Sequence, residues 1–170
     1  MKKFELTSEF VTFLGKKLFR IKALVSFGDV AEGELGGFIE RENNLDQYGD
    51  AWVSGNAWVS GNAWVSGDAQ VSGDAWVSGD AQVSGDAWVS GDAWVQNCRD
   101  YSATSCFGSE NRTTTFFRTK DGGISVRCGC FYGTLNEFRE KVKERHGDSR
   151  LAKEYLMLAD LMEFRLSKDE

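Results

Sequence analysis

The feature that most constrains the fold is a six-residue phrase that recurs without interruption from Asp50 to Gln96. The phrase reads Ala, then Trp or Gln, then Val, Ser, Gly, and Asp or Asn, and eight copies follow one another. A period this short predicts stacked coils, in which each copy forms one side of a coil, and not independent folding units.

Each copy has the pattern of a short strand followed by a corner. Successive side chains of a strand point to opposite faces, so Ala and Val should point inward and Trp or Gln outward. Ser-Gly-Asp/Asn should form the corner, because Gly permits a positive φ and Asp or Asn can bond its own backbone. An antiparallel meander with Ser-Gly-Asp turns is an alternative, but it would need strands longer than three residues.

Residues 49–97, with a small Ala and an aliphatic Val inside every copy, resemble the hexapeptide-repeat, left-handed β-helix family. In that family three hexapeptides form one triangular coil of 18 residues. The resemblance implies a mainly β fold, a left-handed parallel β-helix with three hexapeptides per coil. Residues 18 apart would then stack on one face at the strand spacing of about 4.8 Å.

The 18-residue coil sorts the outward side chains into three faces. The expected faces are Trp52, Gln70 and Trp88; Trp58, Trp76 and Trp94; and Trp64 and Gln82. The second set, which we call the tryptophan face, could expose several hundred Å², at or above the largest patch usual on a monomer. Another subunit could cover it, as in the trimers of the resembled family, or a planar ligand could stack on it. In a third interpretation, Trp serves mainly as a strand former in a recently expanded repeat.

Both ends of the repeat have their own patterns, which divide the chain into residues 1–26, 27–97 and 98–170. Strand alternation predicts a pair from Phe4–Phe13 and Phe19–Ala23, joined by a Gly15-Lys16 turn, as an N-terminal cap. The pieces Phe27–Val30 and Leu35–Ile39 resemble the first, irregular coil of phage and bacterial hexapeptide-repeat proteins.

The last third predicts a β-hairpin and two helices. Thr113–Thr119 and Ile124–Gly133 read as the hairpin, and Thr134 with Glu137 is a capping box for a helix to about His146. Asp148-Ser149 can cap a second helix with a three-four apolar spacing. From Gly108 onward the chain resembles the C-terminal module of phage proteins that carry such repeats.

The tryptophan face and the apolar stripe of the second helix predict a homo-oligomer, with a trimer favoured. The predicted interface residues are Trp58, Trp76, Trp94, Tyr155, Leu158 and Met162.

The residues give little support to catalysis, metal binding or a cofactor. The resembled family includes acyltransferases, whose catalysis usually needs a histidine base. The single histidine, His146, lies at a predicted helix end, where it can cap carbonyls. We expect buried reduced thiols. Disulfides and a zinc site are alternatives, but C-x7-C and C-x-C are weak zinc spacings; the four cysteines are Cys98, Cys106, Cys128 and Cys130.

A cluster of donors in the predicted hairpin points to a small anion. Net charge of −6 argues against long nucleic acids, but arginine and threonine side chains in a hairpin could converge on phosphate. A tryptophan could stack on an attached base. The predicted ligand-binding residues are Arg112, Thr113, Thr114, Thr115, Arg118, Arg127 and Trp94, with ordinary solvated arginines as the alternative.

These patterns lead to one functional hypothesis and two rivals. The hypothesis is a non-enzymatic oligomeric binding protein of phage origin that sequesters a small anionic nucleotide immune signal, and it rests partly on analogy. A structural, self-assembling β-helix scaffold is the alternative, and an acyltransferase is the third. No apolar stretch long enough for a membrane span and no signal peptide is evident, so we expect the cytoplasm of an infected or lysogenic bacterial host.

Overall fold

A computed structural model describes residues 1–168 of the chain, and it is mainly β. The N-terminal strands are β1 (Phe4–Phe13), β2 (Lys16–Ala23) and β3 (Leu35–Ile39), followed by a 3-10 turn at Glu42–Asn44. The repeat contributes β4 (Trp52–Val53), β5 (Trp58–Val59), β6 (Trp64–Val65), β7 (Gln70–Val71), β8 (Trp76–Val77), β9 (Gln82–Val83), β10 (Trp88–Val89) and β11 (Trp94–Val95). The C-terminal elements are β12 (Tyr101–Phe107), β13 (Arg112–Arg118), β14 (Ile124–Cys128), β15 (Phe131–Thr134), α1 (Leu135–His146) and α2 (Arg150–Leu166).

The repeat forms a β-solenoid with three strands per coil, as predicted. All strand pairs within it are parallel and join residues 18 apart, such as Trp58 with Trp76 and Trp76 with Trp94. The other two faces pair Trp52 with Gln70 and Trp64 with Gln82. The alternative of an antiparallel meander is therefore wrong, and the left-handed sense of the coil stays a prediction.

The interior of the solenoid contains the same two buried side chains from every copy of the repeat. The Ala and Val of every copy are at most 1% exposed. The corner glycines have φ between +61° and +69°, a region that other residues reach only with strain. Backbone bonds such as Trp58 N–H to the Ala75 carbonyl oxygen, 2.9 Å, connect successive coils. The small inner residues thus allow the three sides of each coil to approach closely.

The predicted N-terminal hairpin is confirmed, and it extends the sheet of the tryptophan face. That sheet has the order β1-β2-β3-β5-β8-β11, with β1, β2 and β3 antiparallel and β3 parallel to β5. Phe4 and Ile21 are fully buried in the same core cluster as the solenoid Val residues. The hairpin therefore covers apolar surface at the start of the solenoid.

The C-terminal module differs from the predicted hairpin, because four strands and not two form its antiparallel sheet. Gly129, at φ +57°, turns the chain between Cys128 and Phe131. The stretch Ile124–Gly133 is therefore two strands. Tyr101–Phe107 adds a further strand that pairs with β13.

Both C-terminal helices follow the sequence prediction. The Thr134 hydroxyl accepts a hydrogen bond from the Glu137 backbone N–H, and the Glu137 carboxylate accepts one from the Thr134 backbone N–H, so the capping box is formed. Gly147 ends α1. Hydrogen bonds from the Thr134 backbone N–H and hydroxyl hold the pKa of Glu137 below its usual value. Ser149 caps α2.

Strand β13 links the two hydrophobic cores of the protein, since Phe117 packs in the solenoid and Phe116 packs against the helices.

Among residues 1–168, no helix has the length and apolar character needed to cross a membrane.

Candidate functional site

The candidate site is a groove where the C-terminal sheet meets the last coil of the solenoid. Its volume is about 300 Å³, and we call it the arginine groove. Its lining residues are Asp86, Trp88, Ser105, Cys106, Asn111, Arg112, Thr113, Arg127 and Gly129. Three of them, Arg112, Thr113 and Arg127, belong to the predicted ligand-binding set.

The centre of the groove is a stacked pair of side chains. The Arg127 guanidinium lies over the Trp88 ring, with its carbon 3.7 Å from the ring centroid. Trp88 is fixed from two sides, because its backbone N–H donates to Thr115 Oγ1 at 3.0 Å and its indole N–H donates to Ser72 Oγ at 3.1 Å. The fixed ring therefore sets the position of the guanidinium, by a cation–π contact that is strongest where water is excluded.

Strand pairing places Arg127 above this ring. Arg127 of β14 lies directly opposite Thr115 of β13, so both side chains point to the solenoid side of the sheet. Thr115 is the residue that accepts the Trp88 N–H bond, and it is almost completely buried. The sheet is thereby joined to the coil at the point where Arg127 stacks.

The guanidinium groups of the groove have no carboxylate partner among residues 1–168. All ion pairs in that part of the chain involve other cations. Arg127 Nε is buried and unbonded within the same range. Asp86 is the single carboxylate among the lining residues, against Arg112 and Arg127. The groove therefore carries a positive excess, with Ser105 and Thr113 hydroxyls 3.0 Å apart on its wall.

The predicted set does not converge as a whole, because successive side chains of β13 point to opposite faces. Thr115 lies on the solenoid side, whereas Thr114 is buried on the helix side and donates to Cys128 Sγ at 3.2 Å. Arg118 lies at the far end of the same strand. The prediction that all three arginines and three threonines share one site is therefore wrong.

Arg118 holds two segments of the fold together. Its guanidinium pairs with Asp100 at 3.1 Å and donates to the Leu166 and Ser167 carbonyl oxygens at 2.6 and 2.9 Å. The Asp100 side chain is 6% exposed and accepts a bond from the Gln96 backbone N–H. Arg118 thus ties the end of α2 to the loop that leaves the solenoid.

We expect Arg118→Gln to lower the free energy of unfolding by about 2 kcal/mol, because a nearly buried carboxylate and two helix-end carbonyl groups lose a charged donor. Urea denaturation measures this loss. The matched control is Arg112→Gln, which removes a cation without an ion pair in residues 1–168 and should change stability by less than about 0.5 kcal/mol. Equal midpoints for the two variants would contradict the assignment.

Trp94 belongs to the tryptophan face, which the protein partly covers with its own hairpin. Trp94 stacks on Trp76 with ring centroids 5.4 Å apart and planes 19° apart. Phe13, at the end of β1, lies 5.1 Å from Trp58 and contacts Trp76 edge-on at 4.8 Å. A groove of about 620 Å³ remains beside these rings, with Arg20, Asn56, Asp74 and Lys120 in its lining. Trp94 is therefore separate from the arginine groove.

The helix residues predicted for the subunit interface are inside the chain's own core. Tyr155, Leu158 and Met162 are buried against the C-terminal sheet and α1, so that part of the predicted interface is wrong. These side chains lie on the face of α2 that packs against the sheet, and they form part of the C-terminal core. The outer face exposes Met157, Leu161 and Phe164.

The cysteines do not form the four-thiolate site. Among residues 1–168, no group of three or more His, Cys, Asp or Glu side chains could hold a metal ion. All four cysteines are free, and three are exposed, so the expectation that the thiols are buried is also wrong. The Gly129 turn separates Cys128 from Cys130. His146 ends α1 and stacks on Tyr155 at 5.7 Å.

Sequence reasoning missed six of the lining residues, of which Trp88 stacks with Arg127 and Ser105 supplies a hydroxyl group. Trp88 lies on a mixed face of Trp and Gln, and its role arises because Thr115 of β13 accepts its backbone N–H and Arg127 stacks on its ring. Ser105 lies on β12, a strand that is absent from the predicted hairpin-and-helix module. The alternation in Tyr101–Phe107 was the available signal for that strand.

Comparison with protein families agrees with the geometry of the repeat. The family described as YdcK Beta solenoid repeat matches residues 51–67, 69–85 and 81–97. A search of curated proteins gives no match to the chain. The matched residues are those whose strands pair 18 residues apart, and the central part of the chain is therefore a β-solenoid repeat.

Proposed function

We propose that the protein is a non-enzymatic binding protein that holds a small anionic, nucleotide-like ligand in the arginine groove. The observation that carries this proposal is the Arg127 guanidinium, held on the Trp88 ring at 3.7 Å without a carboxylate partner in residues 1–168. A guanidinium whose position is fixed before binding can form two parallel bonds to a phosphate at a low cost in conformational entropy.

The size and polarity of the groove support a small ligand. A volume of about 300 Å³ is at the lower end of the range for small-molecule sites. Arg112 adds a second charge, and Ser105 and Thr113 add hydroxyl groups for sugar or phosphate oxygens. A long nucleic acid would need a row of cations, which the overall charge of −6 does not favour.

Sequestration of a nucleotide immune signal in a bacterial cytoplasm is the biological role that we attach to this site. The supporting features are the chemistry of the groove and the resemblance of the flanking segments to phage repeat proteins. A sequestering protein binds its ligand tightly and in a fixed ratio without converting it, so the proposal requires no catalytic residue and no cofactor.

Titration calorimetry with AMP, ADP-ribose and cyclic dinucleotides tests the proposal. We expect at least one of them to bind the wild-type protein, and Arg127→Gln to weaken that ligand about tenfold or more, because a charge-assisted bond contributes roughly 1.5 to 3 kcal/mol. Trp88→Gln, which places the repeat's own alternative residue at this position, should weaken binding similarly.

Arg150→Gln is the matched control, since Arg150 lies on α2 and its side chain is 93% exposed. It should bind like the wild type. Absence of binding by every ligand, or an equal loss in the Arg150 and Arg127 variants, would contradict the proposal.

A structural scaffold is the second candidate function, and the regular β-solenoid favours it. End-to-end growth is opposed at one end, because Lys120 N–H bonds the Asp92 carbonyl oxygen and Thr119 bridges to Ala93, which places the C-terminal module over the last coil. Side-by-side assembly through the remaining tryptophan-face groove, with a trimer favoured, is the form that we propose. Light scattering that returned a monomer mass would contradict it.

A further inference from the structure

A second cavity lies on the helix side of the C-terminal sheet, between the β14–β15 turn and the two helices. Its volume is about 100 Å³, and we call it the C-terminal cavity. One water needs only about 10 to 15 Å³ of such space. The cavity can therefore hold a compact ligand group of several carbon atoms.

The walls of the cavity are mainly aromatic and aliphatic. Phe138 lies 5.6 Å from Phe131 and 5.8 Å from Tyr155, the latter in an edge-on contact. Val142 of α1 completes this part of the lining. Aromatic rings prefer tilted and edge-on partners at these distances, so the wall is suited to a further small ring.

Cations surround the same cavity. Arg112, Lys141 and Arg145 contribute to its lining, and Glu110 is the single carboxylate there. Lys141 is already paired with Glu144 at 2.7 Å. Arg145 has no carboxylate partner among residues 1–168, as the ion pairs of that range involve other residues. An anionic group at the mouth would therefore be attracted, and a cationic group repelled.

We infer that the C-terminal cavity is a binding site for a small aromatic carboxylate, with the ring between Phe131, Phe138 and Val142 and the carboxylate near Arg145. This site is distinct from the arginine groove, because it lies on the opposite side of the sheet. Arg112 and Gly129 line both spaces, so neither residue can distinguish the two sites in an experiment.

Calorimetry or ligand-observed NMR with benzoate, benzyl alcohol and benzylammonium tests this inference on the full chain. We expect benzoate to bind more tightly than benzyl alcohol, and benzylammonium to bind most weakly. Val142→Phe should reduce benzoate affinity at least tenfold by filling the cavity, and Arg145→Gln should reduce it about fivefold through the lost charge.

Lys143→Gln is the matched control, because Lys143 lies on the same helix and is exposed outside the cavity lining. It should leave benzoate affinity unchanged. Equal binding of the three probes, no binding of benzoate, or equal effects of the Arg145 and Lys143 variants would overturn the inference, even if Val142→Phe does not fold. Arg127→Gln should leave benzoate binding intact, which separates this test from that of the proposed function.

Discussion

Trp52→Gln should lower the free energy of unfolding by about 3 to 5 kcal/mol, the range for removal of a large buried aromatic side chain. Trp52 is 2% exposed and packs edge-on against Phe27 at 5.4 Å. Gly36 makes room for the ring, since a Cβ there would lie 2.7 Å from Trp52 Cζ2. The loss would be a large share of the 5 to 15 kcal/mol usual for a whole domain.

The repeat contains its own control for this substitution. Trp64 occupies the same position of the phrase but is 43% exposed, and Gln stands naturally at positions 70 and 82. We expect Trp64→Gln to change stability by less than about 1 kcal/mol, because little buried surface is lost. Urea denaturation followed by circular dichroism compares the two variants, and equal losses would mean that the N-terminal segment does not bury Trp52.

Gly73→Ala should have the second large effect and lower the free energy of unfolding by about 3 to 4 kcal/mol. Gly73 has φ +69°, where an L side chain costs about 1 to 2 kcal/mol. A Cβ there would also lie 2.8 Å from the Gly91 nitrogen of the next coil. Rotation of a side chain cannot relieve a clash with backbone, so the coils must separate and strain their hydrogen bonds, such as Asp74 N–H to the Gly91 carbonyl oxygen.

Gly85 has the same place in the phrase and nearly the same φ, +65°, but its Cβ would meet nothing within 4 Å. Gly85→Ala should therefore lower the free energy of unfolding by only about 1 to 2 kcal/mol, the cost of placing an L side chain at a positive φ. Thermal denaturation of the two variants isolates the contribution of stacking. A smaller effect at Gly73 than at Gly85 would contradict the 18-residue coil.

The solenoid was predictable because every copy repeats the same local information. Strand alternation places Ala and Val inward, and the 18-residue coil taken from the family resemblance sorts Trp58, Trp76 and Trp94 onto one face, as the pairing shows. Helix starts and ends were also predictable, since the Thr134 and Ser149 caps and the Gly147 end depend on neighbouring residues.

The candidate site was less predictable, because it depends on contacts between distant segments. Arginine and threonine residues close in sequence were expected to converge, but alternation along β13 sends Thr115 to the solenoid and Thr114 to the helices. The glycine turn at Gly129 changed the course of the predicted second strand. Trp88 could be identified only once β13 was placed over the last coil.

The arginine side-chain NMR spectrum, recorded during a titration with pyrophosphate, tests the central claim most directly. If the arginine groove binds anions, the Arg127 guanidinium resonance should shift and saturate, because this group lines the groove and lacks a carboxylate partner in residues 1–168. Arg118, bonded to Asp100 and to the end of α2, should stay unchanged. No shift at Arg127, or equal shifts at Arg127 and the exposed Arg150, would contradict the account.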